Sequence, residues 1–116
     1  MLPELTAQIL RFRDERNWAQ FHSLRNLIVS LNLEAGELLE LTQWRNDAET
    51  AALPERRETR EALRDECADV LIYLLLIAEK AGIDLEDAAR AKLLKNADKY
   101  PVEVSHGSSR KYTAIQ

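Results

Sequence analysis

Apolar residues recur at helical spacing in four stretches of the chain, and no stretch alternates with the period of a strand. Leu5, Ile9 and Phe12 share one side of a first predicted helix, residues 3–16, with Pro3 suited to its opening turn. An aromatic-rich connection, NWAQFHS, follows at 17–23, and a second helix is predicted from 24 to 44 or 45. The segment NDAETAALPERRE, 46–58, reads as a polar loop around Pro54. A third helix, 59–81, is predicted to stop at Gly82 in a left-handed turn. Asp84 is placed to cap a fourth, 85–99, which Pro101 terminates. The expected fold is all-α: a four-helix protomer forming an antiparallel bundle over residues 1–101. A polar tail, 102–116, is expected to be mobile unless a ligand or partner orders it.

The phase of the second helix contains an anomaly. At about 100° per residue, Leu27, Leu31, Leu38 and Leu41 fall on one stripe, and Glu34 projects from its middle. Glu37 stands about 60° to one side, while Glu40 points away and reads as solvated. The third helix repeats the arrangement. Glu66 shares its face with Leu63, Val70, Tyr73 and Ile77, and Asp69 lies about 60° off in the same rotational sense. Residues at i and i+3 project together, so each helix presents two carboxylates to one patch. If successive helices pair, as they do in bundles, the two patches meet.

Both helices are also apolar beyond their main stripes: Ile28, Val29, Leu33 and Leu39 lie off that of the second. Such helices are expected to be covered on a second side, which predicts a homodimer or a homotetramer built as a dimer of dimers. Composition fits one helical domain, at 46% apolar and 31% charged with three glycines and three prolines among 116 residues. The net charge of −4 argues against binding a nucleic-acid polymer, which wants a basic face. Cys67 is the only cysteine, so it forms no intramolecular disulfide; it reads as a small buried or half-buried filler. Glu4, Arg11 and Arg13 interrupt any leader-like apolar run, and VLIYLLLIA, 70–78, is too short to span a bilayer. A cytoplasmic protein with no membrane partner is expected.

Four carboxylates crowded on apolar faces repel one another, and burying each unpaired costs several kcal/mol. A single glutamate in such a position is usually a stripe-edge residue reaching for water. Two matched pairs in one phase call instead for buried cationic partners or divalent metal. The two stripes offer no arginine or lysine beside the acids, with Lys80 the nearest candidate further along the third helix. Oxygen-only ligands favour Mg²⁺, with Mn²⁺ as a substitute, over zinc or copper. A di-iron carboxylate bundle needs E-x-x-H pairs, and neither His22 nor His106 follows a glutamate by three.

Lys92, Asn96 and Lys99 lie within about 60° of one face of the fourth helix, with Lys95 at its edge. Lysines near a helix C-terminus are commonly a solvated face complementing the dipole; the same group can donate to phosphate oxygens. Arg110 and Lys111 in the tail default to solvation. Trp18, Phe21, His22 and Trp44 bracket the second helix. Each tryptophan reads as core or as one wall of a slot in which a base stacks, worth about 1–3 kcal/mol per base. Tyr73 points from the same stripe as Glu66, which puts its hydroxyl within reach of the acids.

E-x-x-E, then 28 residues, then E-x-x-D, then K-x-x-x-N-x-x-K-Y-P resembles the all-α nucleoside triphosphate pyrophosphohydrolases of the MazG-like superfamily. The words ERNWAQFHSLRNL, EAGELLELTQW, DECADVLIYL and SSRKYT are similar to its dCTP pyrophosphatase branch, and the likeness runs from the first helix to about Thr113. The resemblance implies Mg²⁺-dependent hydrolysis of a (deoxy)nucleoside triphosphate, dCTP or a modified dCTP first among them, to monophosphate and pyrophosphate. It implies Glu34, Glu37, Glu66 and Asp69 as metal ligands, Trp18, His22, Trp44 and Tyr73 at the nucleoside, and Lys92, Asn96 and Lys99 near the phosphates. It also implies tight dimers, commonly paired into tetramers. Two positions depart from the pattern. Leu24 replaces a proline at the start of the second helix, and Ile9 replaces a histidine that vertebrate-type members hold near the substrate, which leaves base preference open.

The mechanism expected on this footing is in-line attack of a metal-activated water on the α-phosphorus. Glu37 is the first choice to take the proton, with Glu34 beside it. No Ser/His/Asp or Cys/His arrangement suggests a covalent intermediate. A second reading is a non-catalytic nucleotide-sensing or oligomerisation module on the same scaffold. Four intact acids favour the enzyme, because a binding module could lose one and keep its fold.

Overall fold

The computed structural model describes residues 1–107, and the expected roles of Arg110, Lys111 and the SSRKYT word lie outside the described residues. Among the described residues there are helices and turns and no strands: α1 (Leu2–Glu15), α2 (Leu24–Glu40), α3 (Asp47–Ala51), α4 (Arg57–Ala81), α5 (Leu85–Lys99) and α6 (Val102–Ser105). Short 3-10 turns stand at Ala19–Phe21 and Leu53–Glu55. The four long helices match the periodicity, while α3, α6 and both 3-10 turns occupy segments expected to be connections or tail. Among the described residues no helix is long and apolar enough to cross a membrane.

The chain divides into two compact units, Met1–Gly82 and a second beginning at Ile83. In the first unit, α2 opens on Ser23, whose Oγ accepts from the Asn26 amide at 3.1 Å. The Asn26 side chain donates to the Phe21 carbonyl at 3.0 Å, tying the 3-10 turn to the helix start. Leu24 is the first residue of α2, so the departure from proline leaves the start in place. The helix stops at Glu40, four residues or more before the predicted end. Thr42 Oγ1 donates to the Leu39 carbonyl and the Arg45 guanidinium to that of Leu41, satisfying acceptors the next turn would have used. Asn46 and Glu49 then form a reciprocal capping box that starts α3.

The buried core of the chain is Leu27, Leu53, Leu75, Leu76 and Ala78. Leu27 lies on the acid-bearing stripe of α2. Leu75 lies on the opposite side of α4 from Glu66, with Leu76 and Ala78 about 80° and 120° round to either side, and the Glu66 stripe of Val70, Tyr73 and Ile77 is half-buried. The two acids of α4 are thus half-buried and not among its most deeply packed residues. Cys67 is exposed, which corrects the expectation of a buried filler; α4 is covered on other sides. Ile28, Val29, Leu33 and Leu39 are all exposed in the single chain, as their place off the stripe requires.

In the second unit, Asp84 caps α5 by accepting from the Asp87 amide at 3.1 Å. Gly82, at φ +69, ends α4 in the left-handed region expected of it.

A carboxylate cluster as the candidate active site

Helical periodicity sets the rotation of each acid, and the packing of α2 against α4 brings the two patches together. One oxygen from each of Glu34, Glu37 and Glu66 lies within 4.8 Å of the others. Asp69, half-buried one turn beyond Glu66, lies outside that tight triplet but acts on both Glu34 and Glu66 through its charge. Glu34 and Glu66 each turn an Oε2 inward where neither water nor a hydrogen-bond partner reaches it. Glu37 is exposed, and Glu40 is exposed away from the group as expected.

The electrostatics follow from this geometry. Burial, then hydrogen bonding with Glu37, then the charges of Glu37, Asp69 and Glu66 raise the Glu34 carboxyl from its ordinary 4.5 to about 7. Burial again leads for Glu66, followed by Glu37, Asp69 and Asp65, and its carboxyl also rises. Every influence on these two groups besides burial comes from another acid. A hydrogen bond between carboxyl groups requires a proton in one of them, so the cluster on its own retains a proton that free carboxylates would lose. Orphaned inward oxygens, close acids and hard oxygen donors fit a divalent cation held by Glu34, Glu37 and Glu66, with Asp69 at hand.

Of the other predicted site residues, Tyr73, His22, Trp18 and Trp44 belong to the first unit, as the triplet does. Tyr73 is half-buried on the Glu66 stripe, seven residues and about 10 Å further along α4. His22 is half-buried with an unpartnered Nδ1; burial first, then Arg13 and Lys80, lower its pKa and favour the neutral ring. Lys80 follows Glu66 by fourteen residues, about 21 Å of helix rise, so His22 belongs to the far end of α4. Arg13 reaches Glu79 at 3.8 Å near the same end. Trp18 is 44% exposed and lies edge-on to Phe12. Trp44, at φ +64 and 92% exposed, stands in the turns after α2 and not on the helix itself. Lys92, Asn96 and Lys99 are on α5 in the second unit, Asn96 half-buried and its carbonyl accepting from the Tyr100 amide at 2.8 Å. Periodicity did not reveal Asp65, which adjoins Glu66 and adds to its repulsion, or the pairing of Phe12 with Trp18. The Asn17 that closes α1 was the available signal for the latter.

Comparison with known proteins gives the family. The sequence model of the MazG-like family matches residues 29–115. The chain is similar to dCTP pyrophosphatase 1 of Rattus norvegicus, 44% identical over 97% of this chain and 69% of the relative. The protein of the same name from Homo sapiens is 42% identical over the same shares. The crystal structure of a pyrophosphatase from Archaeoglobus fulgidus superposes with a TM-score of 0.79 at 42% identity, covering 85% of this chain and 91% of that one.

Proposed function

The chain belongs to the MazG-like family, and from that membership and the carboxylate cluster we propose that it hydrolyses (deoxy)nucleoside triphosphates to the monophosphate and pyrophosphate. The relatives named dCTP pyrophosphatase 1 make dCTP, or a modified dCTP, the first substrate to test. The observation that carries the reading is the meeting of Glu34, Glu37 and Glu66 around two unsatisfied inward oxygens. A merely structural helix pair gains nothing from that cost.

Bound at these acids, Mg²⁺ or Mn²⁺ supplies charge neutralisation and lowers the pKa of attacking water. The water oxygen bonds to the α-phosphorus as the bond from that phosphorus to the bridging oxygen breaks, and pyrophosphate departs with the bridging oxygen. Glu37, the most exposed of the acid triplet, is assigned to take the water's proton. Glu34 and Glu66, less exposed, are assigned to hold the metal with Asp69, and Glu37 can lend it one carboxylate oxygen while the other takes the proton. Trp18, His22, Trp44 and Tyr73 are assigned to the nucleoside on the strength of the resemblance, and Tyr73, about 10 Å along α4 from Glu66, stands at a distance that suits a nucleotide with its phosphates at the acids. Lys92, Asn96 and Lys99 are assigned to the phosphate oxygens on the strength of the motif they share with the family. The exposed second sides of α2 and α4, with Leu33, Leu39 and Leu71 among them, support a homodimer or homotetramer.

A panel of canonical and 5-modified dNTPs with Mg²⁺, scored separately for pyrophosphate and orthophosphate, tests the reading. Pyrophosphate is expected as the direct product. Orthophosphate in its place would overturn attack at the α-phosphorus, and no turnover of any substrate would leave a non-catalytic nucleotide-binding module.

A further inference from the structure

The end of α1 is built in more detail than a helix stop requires. The Asn17 amide donates to the Asp14 carbonyl at 3.0 Å and the Trp18 amide to that of Arg13 at 3.0 Å. Asn17 itself sits at φ +53, in the left-handed region that asparagine tolerates better than most residues. These are the paired bonds of a Schellman stop, and such stops bring the residue after the left-handed one against the last apolar residue of the helix. Here those residues are Trp18 and Phe12, with ring centroids 5.7 Å apart at 74°. Arg16 also packs on Phe12. Its guanidinium carbon lies 3.6 Å from the Phe12 ring centroid, and its Nη1 donates to the Phe12 carbonyl at 2.9 Å. Gln20 donates to the Asn17 carbonyl at 3.0 Å and holds the turn from beyond. Yet Phe12 and Trp18 remain 49% and 44% exposed, so this stack contributes little to the core. It fixes the indole edge-to-face with the Phe12 ring while leaving much of the indole open.

We propose that Phe12, Arg16 and Asn17 are positioning residues that set the Trp18 indole at a fixed angle as one wall of the base slot. The proposal rests on the reading that a nucleotide base stacks on Trp18. Phe12 removes rotamer freedom from the indole before substrate arrives, so binding a base does not have to. Arg16 holds Phe12 in turn by lying over its ring.

The experiment measures kcat and KM for the best-hydrolysed triphosphate of the panel, using the full chain and four variants: Phe12→Ala, Phe12→Tyr, Trp18→Ala and the double alanine. Phe12→Ala is expected to raise KM about two- to tenfold, the span of an aromatic pair contact, with kcat unchanged. Phe12→Tyr restores the wild-type KM, and the double variant shows the KM of Trp18→Ala alone, because Phe12 acts only through the indole. A wild-type KM in Phe12→Ala beside a raised one in Trp18→Ala overturns the proposal and leaves the base slot standing. Additive effects, or a fall in kcat with the rise in KM, overturn it as well. A wild-type KM in Trp18→Ala, or no turnover by the parent protein, removes the underlying reading and the proposal with it. Far-UV circular dichroism checks folding, and the turn gives an independent test. Asn17→Gly, which keeps the left-handed conformation, should leave KM unchanged, and Asn17→Val, which opposes it, should reproduce Phe12→Ala. Equal KM values in these two would also count against the proposal.

Discussion

Glu34→Gln is predicted to end turnover and yet make the metal-free protein more stable at neutral pH. The Glu34 carboxyl is held near 7 in the fold against an ordinary 4.5, chiefly by burial and then by the neighbouring acids. The fold therefore favours the protonated form. Below the unfolded value both states hold the proton, and Glu34 costs nothing. As pH rises, the unfolded chain releases its proton first, and stability falls until the folded group also titrates near 7. At about 1.4 kcal/mol per unit, the loss across that window is on the order of 3 kcal/mol. Glu66 shifts in the same direction and steepens the fall. Urea unfolding followed by far-UV circular dichroism in EDTA, at one protein concentration and from about pH 5 to pH 8, measures this. Wild type should lose stability as pH rises, and Glu34→Gln should lose markedly less and be the more stable of the two at the upper end. Mg²⁺ should reverse the ranking by stabilising wild type through binding to the folded state alone. Parallel pH profiles for the two proteins in EDTA would refute the reasoning, because the shift would then not reside at Glu34.

Glu66→Gln should lower pyrophosphate release to background while leaving the helical signal intact; near-full activity in that variant would remove Glu66 from the metal set. Leu27→Ala should cost about 2–5 kcal/mol in urea unfolding, since Leu27 is 2% exposed and its loss opens a cavity on the α2 face; a cost below about 1 kcal/mol would mean that the face packs elsewhere. Sedimentation should show a dimer or larger, and a monomer would leave Ile28, Val29, Leu33 and Leu39 exposed without reason.

The acids were legible in the sequence because a helix fixes rotation tightly: once Leu27 and Leu31 define a stripe, the direction of Glu34 follows within a few tens of degrees. The same rule told Glu40 from Glu37, and the structure leaves Glu40 outside the cluster. Helix ends were less legible. Leu38, Leu41 and Trp44 continue the α2 period on paper, but the local bonds of Thr42 and Arg45 and the Asn46–Glu49 box compete with further turns and win. Each bond is worth only about 1 kcal/mol, comparable to what another helical turn offers, so periodicity alone does not decide between them. Depth of burial was also hidden, because it depends on which sides of α4 are covered. Leu75, Leu76 and Ala78 take the deepest places, and Cys67 is left outside.

That distribution of burial bears on how a carboxylate site survives in a small helical protein. Had Glu66 been as deeply buried as Leu75 and Leu76, its unpaired charge would have cost several kcal/mol. On the half-open stripe, Glu34 and Glu66 bury one oxygen apiece while Glu37 stays in contact with solvent. The cost then falls on two carboxyl groups, and a retained proton or a cation can offset it. A partly solvated Glu37 also keeps the freedom to exchange a proton with water, which suits the general base assigned to it. Glu34 and Glu37 look interchangeable as an E-x-x-E pair. Their different exposure, set by rotation about 60° off the leucine stripe, is what fits one to hold metal and the other to move protons.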